Sequence, residues 1–390
     1  MSARGDLAIV VAGTSWDGIW MPERHVALQL ARRMPVLWVD PAISFLTPLL
    51  DPAARGALRD QRLRAAAPNI MRLSLVTVPG VTRPGLRDVA ARQARRAVRR
   101  AVAQIGARVR CTIVAGLEDM LDVVPSDRRV FYGTDDYVAG ARLMGTDSGW
   151  LQARELRQLQ RADTVIAVSP VLAQQWSSTR PDVVMIPNGC DAEHYADVDD
   201  APPAGDLRLP APIAGFVGHL SERIDLAMLE AVAATGVSLL LVGPRQPTFE
   251  IAKLDALLAL ANVQWVGPKP FSELPSYLRA IDVGLTPYRQ SDFNRASFPL
   301  KTLEYLAAGR PAVVSDLPAH RFLDTGHITI ATTAQEFAQR TQALLAAPQT
   351  AADVAARHTL AARHSWAARS DEICALLELD RTPAVPSRAA

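Results

Sequence analysis

The sequence predicts an α/β protein made of two Rossmann-like domains, each with a mostly parallel sheet covered by helices. Short apolar runs alternate with longer segments of helical periodicity, the pattern of parallel sheets with helices on both faces. The alternation stops at 197–212, where acidic residues, Pro and Gly dominate, and then starts again. The length of 390 residues also exceeds one ordinary core and suits two domains.

The first predicted domain covers residues 1–196. Its strand candidates are the apolar runs at 7–13, 36–40, 111–116, 130–133, 164–169 and 183–187. Helix candidates lie between them at 23–33, 86–104, 150–161 and 171–176. This succession of strand and helix is typical of βαβ units in a parallel sheet.

The second predicted domain covers residues 213–364 and follows a linker at 197–212. Its strand candidates are 213–218, 238–243, 263–267, 283–287, 312–315 and 328–331. Its helix candidates are 225–234, 249–261, 273–281, 302–308 and 334–346. A last helix at 365–379 is long enough to cross back to the first domain, and the Pro-, Ser- and Ala-rich tail at 380–390 is expected to be disordered.

Composition excludes several classes of protein. Hydrophobic residues make up 49% and charged residues 21%, which is typical of a globular protein with a real core. A formal net charge of +2 gives no support to nucleic-acid binding. The three cysteines, Cys111, Cys190 and Cys374, lack zinc or disulfide spacing and fit a reducing cytosol. Because no long apolar run or export signal is evident, we expect a cytoplasmic protein.

Familiar nucleotide and hydrolase motifs are absent from the sequence. The first turn is AGTSWDGIW rather than G-x-G-x-x-G, which argues against dinucleotide binding. Neither a P-loop nor G-x-S-x-G occurs, so nucleotide hydrolysis and esterase chemistry lose their usual signatures. The seven His residues show no metal-ligand spacing. We therefore expect neither a cofactor nor a bound metal.

The stretch SFPLKTLEYLAAGRPAVVS (297–315) predicts a helix with an anion site at its start. Pro299 is placed at the helix start and Gly309 at its end, while Lys301 and Glu304 share one face. Free N–H groups, the helix dipole and the Lys301 charge all favour a diphosphate, and Glu304 can accept hydrogen bonds from ribose hydroxyls. The alternative is a buried helix with a local Lys–Glu pair on its surface.

Two further loops follow predicted strands of the second domain. GFVGHLSERID (215–225) puts Gly218, His219 and Arg223 after the first strand, and arginine suits phosphate because its fork makes two parallel hydrogen bonds. The alternative for this arginine is a surface salt bridge with Glu222 or Asp225. VGPKPF (266–271) offers backbone groups at the carboxyl edge of the sheet, where open α/β sheets bind ligands, and can hold a base.

Two adjacent carboxylates follow the strand VFYG in the first domain. One of Asp135 and Asp136 can face the reacting group, where it takes a proton from an acceptor or stabilises positive charge. The alternative is that Asp136 caps the next helical segment.

The first loop, GTSWDGIWMPERH (13–25), combines Gly13, Trp16 and Asp17 before a helix. Aromatic rings beside polar groups suit the faces and hydroxyls of sugars, so this loop is a candidate acceptor site. Alternatively, Trp16 and Trp20 both pack under the helix.

The predicted helix at 86–104 is strongly basic. It contains six arginines and one acidic residue, Asp88, and alanines lie along its other side. Such a helix can dock on an anionic lipid surface, where each cation adds roughly 1 kcal/mol. A solvated arginine face is the alternative. The arginines are Arg87, Arg92, Arg95, Arg96, Arg99 and Arg100.

Several stretches together resemble a known family. NVQWVGPKPFSELPSYLRAIDVGLTPY (262–288) and 297–315, with FYGTDDYVAG, RADTVIAVSPVLA and MIPNGCDAEHY in the first half, resemble retaining glycosyltransferases of the GT-B fold, the group 1 or family 4 type. Within that family the chain is most similar to bacterial teichuronic-acid-type enzymes of polysaccharide or glycolipid synthesis.

The resemblance implies roles for the candidate residues. Glu304 would bind the donor ribose, and Lys301 and Arg223 would hold the diphosphate. The resemblance favours Asp135 as the catalytic carboxylate. The base would lie near Gly267, Pro268 and Lys269, and the segment that carries Ser297, Pro299 and Leu300 would complete the donor site.

One position departs from the family pattern. The family places an earlier glutamate eight positions before the second one, and in this chain that position is Ala296. Contact with the transferred sugar would then come from other groups. The candidates are Asp292, Asn294, Arg295 and the backbone at 297–298.

These observations predict a glycosyltransferase that moves a sugar from a nucleoside-diphosphate sugar to an acceptor hydroxyl in cell-envelope synthesis. Helix-end amides, with Lys301 and Arg223, would stabilise the leaving diphosphate without a metal, and retention is implied by the resemblance. If the basic helix binds membranes, the acceptor is lipid-linked and the protein works at the inner face of the cell membrane. The alternatives are a nucleotide-sugar epimerase and a non-catalytic nucleotide-sugar-binding protein.

Overall fold

The computed structural model describes residues 5–18, 20–47, 63–79, 85–323 and 326–379. They form two compact units. The first contains the described residues within Met1–Val168, Leu172–Ile186 and Arg369–Ala390, and the second contains those within Ser169–Val171 and Pro187–Ala368. The predicted linker at 197–212 therefore lies in the second unit. The predicted tail at 380–390 is outside the described residues.

The first unit is built on an eight-stranded sheet in the order β10-β9-β8-β7-β1-β2-β5-β4, with a two-stranded sheet β3-β6. All neighbouring strands are parallel except β4 and β5. The strand order reverses between β1 and β7. The strands are β1 (Asp6–Val11), β2 (Val36–Val39), β3 (Ile43–Ser44), β4 (Arg64–Ala67), β5 (Ile70–Leu73), β6 (Val76–Thr77), β7 (Arg108–Val114), β8 (Arg128–Gly133), β9 (Thr164–Ala167) and β10 (Val184–Met185), and the helices in this part of the chain are α1 (Pro22–Leu30), α2 (Leu86–Ile105), α3 (Ser148–Arg161) and α4 (Pro170–Ser177).

The second unit has one six-stranded parallel sheet in the order β13-β12-β11-β14-β15-β16. Counted within the unit this is 3-2-1-4-5-6, the order of dinucleotide-binding Rossmann folds. The strands are β11 (Ile213–Val217), β12 (Ser238–Val242), β13 (Val263–Trp265), β14 (Val283–Thr286), β15 (Ala312–Ser315) and β16 (Ile328–Ala331).

Helices of this part of the chain alternate with those strands. They are α5 (Ala192–Tyr195), α6 (Leu226–Ala234), α7 (Ile251–Leu258), α8 (Leu274–Ala280), α9 (Asp292–Ala296), α10 (Leu300–Ala307), α11 (Pro318–Leu323), α12 (Ala334–Ala346), α13 (Ala351–Arg363) and α14 (Trp366–Leu376), with 3₁₀ helices at Val198–Asp200 and Phe271–Glu273. The last helix begins in the second unit, and its residues from Arg369 onward belong to the first.

The core of the second unit explains why its strands are continuous apolar runs. Phe216 and Leu241 are fully buried on one face of the sheet, against Leu229, Leu254 and Phe337 of three helices. Strands covered on both faces gain from apolar residues at every position. Each fully buried side chain of this size contributes roughly 1.5–3 kcal/mol.

The predicted strands and long helices are present, so the prediction of two Rossmann-like α/β domains is confirmed. The missed elements are mostly short: β3 and β6 have two residues each, and α9 has five. The linker prediction overlooked a buried residue in this segment. Val198 is 1% exposed in the second unit despite its acidic neighbours. One miss was avoidable, since Thr350 and Asp353 form a capping box at the start of α13.

Candidate functional site

The reversal of strand order in the second sheet lies between β11 and β14, and the segments that leave these strands are joined. Ile224 and Tyr288 form an antiparallel bridge, and the Arg289 N–H donates to the Arg223 carbonyl at 2.9 Å. The Asp225 N–H donates to the Pro287 carbonyl at 2.7 Å. Open α/β sheets bind ligands outside the carboxyl ends of the strands at such a point.

Arg223 is held in place at this point without a carboxylate partner. Its Nε donates to Asn294 Oδ1 at 2.9 Å, and its guanidinium carbon lies 5.3 Å from the Tyr288 ring centre and 4.9 Å from that of Phe293. Among the described residues none forms a salt bridge with it, so the predicted alternative of an ion pair is not what the structure contains. Asp225 instead caps α6 by accepting from Ala227 N.

Asn294 and His219 complete the surroundings of this arginine. The Asn294 side-chain amide donates to the backbone carbonyls of Arg223 and Arg289, both at 2.9 Å. His219 is exposed, and partial burial of its ring, then the Arg223 charge, lowers its pKa. A neutral His219 leaves Arg223 as the fixed cation here.

The helix α10 begins at Leu300 after Pro299, and no side chain caps its first turn. Lys301 Nζ lies 2.7 Å from Glu304 Oε2, with side chains 26% and 13% exposed. This is the local pair that the sequence left as an alternative. Tyr195 is fully buried nearby, and burial together with the Glu304 charge raises the pKa of its hydroxyl.

Glycines leave bare backbone at the carboxyl ends of β11, β12 and β13. The Gly218 N–H donates to Val242 O at 2.8 Å, and the Gly243 N–H donates to Gly267 O at 2.9 Å. A Cβ at Gly243 would lie 2.0 Å from the Gly218 carbonyl oxygen, and Gly243 has a φ of 134°. A side chain is therefore excluded at Gly243, which lets the turns after β11 and β12 approach closely.

The side chain of Lys269 pairs with Asp206 rather than facing a nucleotide base. Its Nζ lies 2.5 Å from Asp206 Oδ2, and the Tyr277 hydroxyl donates to Asp206 Oδ1 at 2.7 Å. The hydrogen bond to Asp206, then that to Tyr277, raises the pKa of Lys269. The backbone between Gly267 and Lys269, with Pro268, is what this loop can offer to a ligand.

The candidates for contact with a transferred sugar divide into two groups. Asn294 is 1% exposed and tied to Arg223, and Ser297 Oγ donates to Phe293 O at 2.9 Å. Ala296 is buried, and its carbonyl accepts from Ser169 Oγ. Asp292 and Arg295 are exposed on α9. These two side chains are the ones available for a new contact.

Carboxylates cluster where the strand order of the first sheet reverses. Gly13 N–H donates to Glu23 Oε1 at 3.2 Å, and the Thr14 hydroxyl donates to the same oxygen at 3.4 Å. Glu23 is 1% exposed, and its Oε2 has no hydrogen-bond partner among the described residues. Burial raises the Glu23 pKa to about 7, and the Asp135 charge adds to the rise. The sequence prediction missed this residue.

Asp135 and Asp136 have different surroundings. Asp136 is 5% exposed, and its Oδ1 accepts from Ala139 N at 2.8 Å, as the capping alternative had it. Burial, then the Asp136 charge, raises the pKa of Glu155 to about 7. Asp135 is only half-buried. It is thus the member of the pair with access to a ligand.

The first loop is organised by a buried ion pair. Trp16 is 7% exposed and packs edge-on against Trp38, with ring centres 5.1 Å apart. The Trp16 N–H donates to Asp40 Oδ1 at 2.9 Å, and Arg72 Nε donates to Asp40 Oδ2 at 2.6 Å. Arg72 also binds Asp17, whose carboxylate is 73% exposed. Trp16 is therefore part of the core, as the alternative had it, and Asp17 is at the surface.

The basic helix α2 uses part of its charge within the protein. Arg95 Nη1 donates to Asp122 Oδ1 and Arg99 Nε to Val123 O, both at 2.9 Å. Its alanine side is buried against the first unit. Arg92, Arg96 and Arg100 are exposed, and so are Leu86 and Val89 at its start. No helix among the described residues is long and apolar enough to cross a membrane.

Comparisons with known proteins place the fold. Residues 211–347, within the second unit, match the family described as glycosyl transferases group 1. The Bacillus subtilis (strain 168) protein TuaH, named as a teichuronic acid biosynthesis glycosyltransferase, is 34% identical over 176 residues, which cover 43% of this chain and 44% of that protein. The match thus spans less than half the length of that relative.

Solved structures are similar over nearly the whole chain. Sucrose-phosphate synthase from Thermosynechococcus elongatus has a TM-score of 0.71 at 19% identity, covering 96% of this chain and 99% of that one. Anabaena HepE, in complex with UDP and glucose, has a TM-score of 0.64 at 15% identity, with 96% and 99% covered. The chain therefore has the GT-B glycosyltransferase fold, and its second unit carries the segment that matches glycosyl transferases group 1.

Proposed function

We propose that the protein is a glycosyltransferase that moves a sugar from a nucleoside-diphosphate sugar to an acceptor hydroxyl. The observation that carries this proposal is Arg223, a cation that Asn294 holds where the second sheet reverses its strand order and that has no carboxylate partner among the described residues. This site lies inside the segment that matches glycosyl transferases group 1. A fixed guanidinium at such a position suits a diphosphate.

The donor would use cations and bare backbone together. The diphosphate would bind Arg223 and the start of α10, where uncapped N–H groups and Lys301 favour an anion. Lys301 would exchange Glu304 for phosphate, which frees Glu304 to accept hydrogen bonds from the ribose. The base would bind the backbone between Gly267 and Lys269.

The chemistry of transfer follows from where charge develops. As the bond to the sugar breaks, the leaving diphosphate gains negative charge, and preorganised cations stabilise it. Asp135 would face the reacting group and take the acceptor proton or stabilise positive charge at the anomeric carbon. This scheme needs no metal, and similarity to the family supports retention of anomeric configuration.

The acceptor is proposed to be a cell-envelope polysaccharide or glycolipid precursor at the cytoplasmic face of the membrane. The likeness to TuaH supports this pathway class. Exposed Arg92, Arg96 and Arg100, with Leu86 and Val89 at the start of α2, support docking on anionic lipid.

Calorimetry with UDP, GDP, dTDP and ADP, with and without magnesium, tests the donor site. UDP is the first probe because HepE was solved with UDP and glucose. We expect one diphosphate to bind without magnesium, and Arg223→Ala to weaken it about tenfold or more, since a charged hydrogen bond is lost. Arg340→Ala, which removes a surface arginine paired with Glu336 on α12, is the matched control.

The other outcomes separate the rival functions. No binding to any of the four nucleotides overturns the proposal. Conversion of a bound nucleotide sugar without acceptor would identify an epimerase, and binding without any turnover in the presence of membrane lipid extract would identify a binding protein.

Vesicle flotation tests the membrane part of the proposal separately. The triple variant Arg92→Gln, Arg96→Gln, Arg100→Gln should bind phosphatidylglycerol vesicles much more weakly than the wild type, because roughly 1 kcal/mol is lost per cation. Arg340→Gln is the control. Equal flotation of the triple variant and the wild type would remove α2 as the docking surface.

A further inference from the structure

A chain of buried hydrogen bonds runs beneath the first turn of α10. Thr286 at the end of β14 lies 3.3 Å from the Thr302 hydroxyl, and Thr302 Oγ1 lies 3.1 Å from His320 Nε2. His320 Nδ1 lies 2.6 Å from the Ser315 carbonyl oxygen at the end of β15. All four residues are 0% exposed. The chain thus joins two strand ends to α10 and α11.

The direction of every bond in this chain is determined. A carbonyl oxygen only accepts, so His320 Nδ1 carries the proton and donates to Ser315. Nε2 of the neutral ring then accepts from the Thr302 hydroxyl, and the Thr302 oxygen accepts from Thr286. Burial lowers the pKa of His320 to about 4, so the ring is neutral near pH 7.

The same chain reaches both cations of the proposed donor site. Thr302 follows Lys301 directly in the first turn of α10, where no side-chain cap fixes the helix start. Ser315 accepts the Tyr288 N–H with its hydroxyl at 3.1 Å, and the Tyr288 ring lies beside the Arg223 guanidinium. An apolar side chain would fill the space of His320, but it would fix neither group by a directional bond.

We infer that His320, in its neutral form with the proton on Nδ1, is a positioning residue that holds the start of α10 and the Tyr288 segment for the donor. The inference rests on the proposed function, since it concerns nucleotide binding at the same site. His320 itself touches no substrate. Its effect passes through Thr302 on one side and Ser315 on the other.

Two pairs of substitutions separate positioning from packing. Thr302→Val removes the hydroxyl at nearly constant shape, and Thr302→Ser keeps it. His320→Asn keeps a donor near the Nδ1 position, and His320→Gln keeps an acceptor near the Nε2 position. We expect Thr302→Val to weaken UDP binding in calorimetry about tenfold, since a buried polar group is left unpaired, while Thr302→Ser stays within about twofold. The two His320 variants should each lose part of the affinity.

Nitrogen-15 NMR of the imidazole supplies a readout that packing alone would not produce. We expect His320 in the wild type to be neutral with the proton on Nδ1 from pH 6 to pH 8. A proton on Nε2, or a charged ring, would overturn the inference. The inference would also be overturned if Thr302→Val bound UDP as tightly as the wild type while Arg223→Ala bound it more weakly. Absence of binding to all four nucleotides by the wild type overturns the proposed function and the positioning role together.

Discussion

The two units share one architecture and place opposite charges at the edges where their strand orders reverse. The edge of the first sheet carries Glu23 and Asp135, and burial, with the Asp135 charge, raises the Glu23 pKa. The edge of the second carries Arg223 and Lys301. The scaffold therefore leaves the choice of ligand to loop residues. A cationic edge suits a diphosphate, and a carboxylate edge suits hydroxyl groups and protons.

Within the first unit, Asp40 differs from Glu23 because it is a buried acid that pairs with a buried cation. Asp40 and Arg72 side chains are 5% and 6% exposed and lie 2.6 Å apart. Arg72→Met should lower the free energy of unfolding by about 3–5 kcal/mol, because Asp40 is left as an uncompensated buried charge. Urea denaturation measures it. Asp17→Asn, which removes the exposed partner of the same arginine, should cost less than about 1 kcal/mol.

Glu23 sharpens the contrast, since its Oε2 is buried without a hydrogen-bond partner among the described residues. Its carboxyl stays protonated in the folded protein up to about 7, whereas the ordinary pKa is 4.5. The contribution of this carboxyl to the free energy of unfolding is therefore fully present below pH 4.5. It is lost as the pH rises through 7, by about 3 kcal/mol for this shift. Glu23→Gln should remove that loss, so its gain over the wild type grows from pH 5 to about pH 7 and then levels off.

Unfolding free energies at pH 5, 6, 7 and 8 measure this difference. Glu118→Gln, at a carboxylate that is 54% exposed, is the control and should follow the wild type. A constant difference between Glu23→Gln and the wild type across this range would mean that the buried carboxyl does not titrate there.

Substitutions at Asp135 and Asp136 test whether a carboxylate at the edge of the first sheet takes part in the reaction. We expect Asp135→Asn to slow release of nucleoside diphosphate from the donor about a hundredfold, in the range of acid–base groups, with donor affinity unchanged. Asp136→Ala should instead lower the thermal midpoint, because it removes the oxygen that accepts from Ala139 N. The result would reverse our assignment if the second variant lost turnover and the first lost stability.

Arg223 and Lys301 can be singled out from the sequence more easily than the buried Glu23, for a physical reason. Lys301 and Arg223 stand in local patterns, a helix start and a strand end, that can be recognised within a few residues. Glu23 is buried beside the backbone that follows β1, and its raised pKa also depends on the charge of Asp135, which is far along the chain. Asp225 caps α6 instead of pairing with Arg223, and this role can be recognised only once the start of the helix is known. Neither the burial of Glu23 nor the capping role of Asp225 can be predicted from local periodicity.

The smallest effect we predict compares two pairs of the same spacing. Lys301 with Glu304 lies at the start of α10, and Lys253 with Glu250 lies at the start of α7. Lys301→Ala should weaken binding of the preferred nucleoside diphosphate about tenfold, since one charged contact with phosphate is lost. Lys253→Ala should leave the affinity unchanged, because the Lys253 side chain is 69% exposed and is not among the groups that we propose to bind the nucleotide. Equal losses would mean that net charge alone attracts the nucleotide, whereas a loss confined to Lys301→Ala, reduced at high salt, would place the diphosphate at the start of α10.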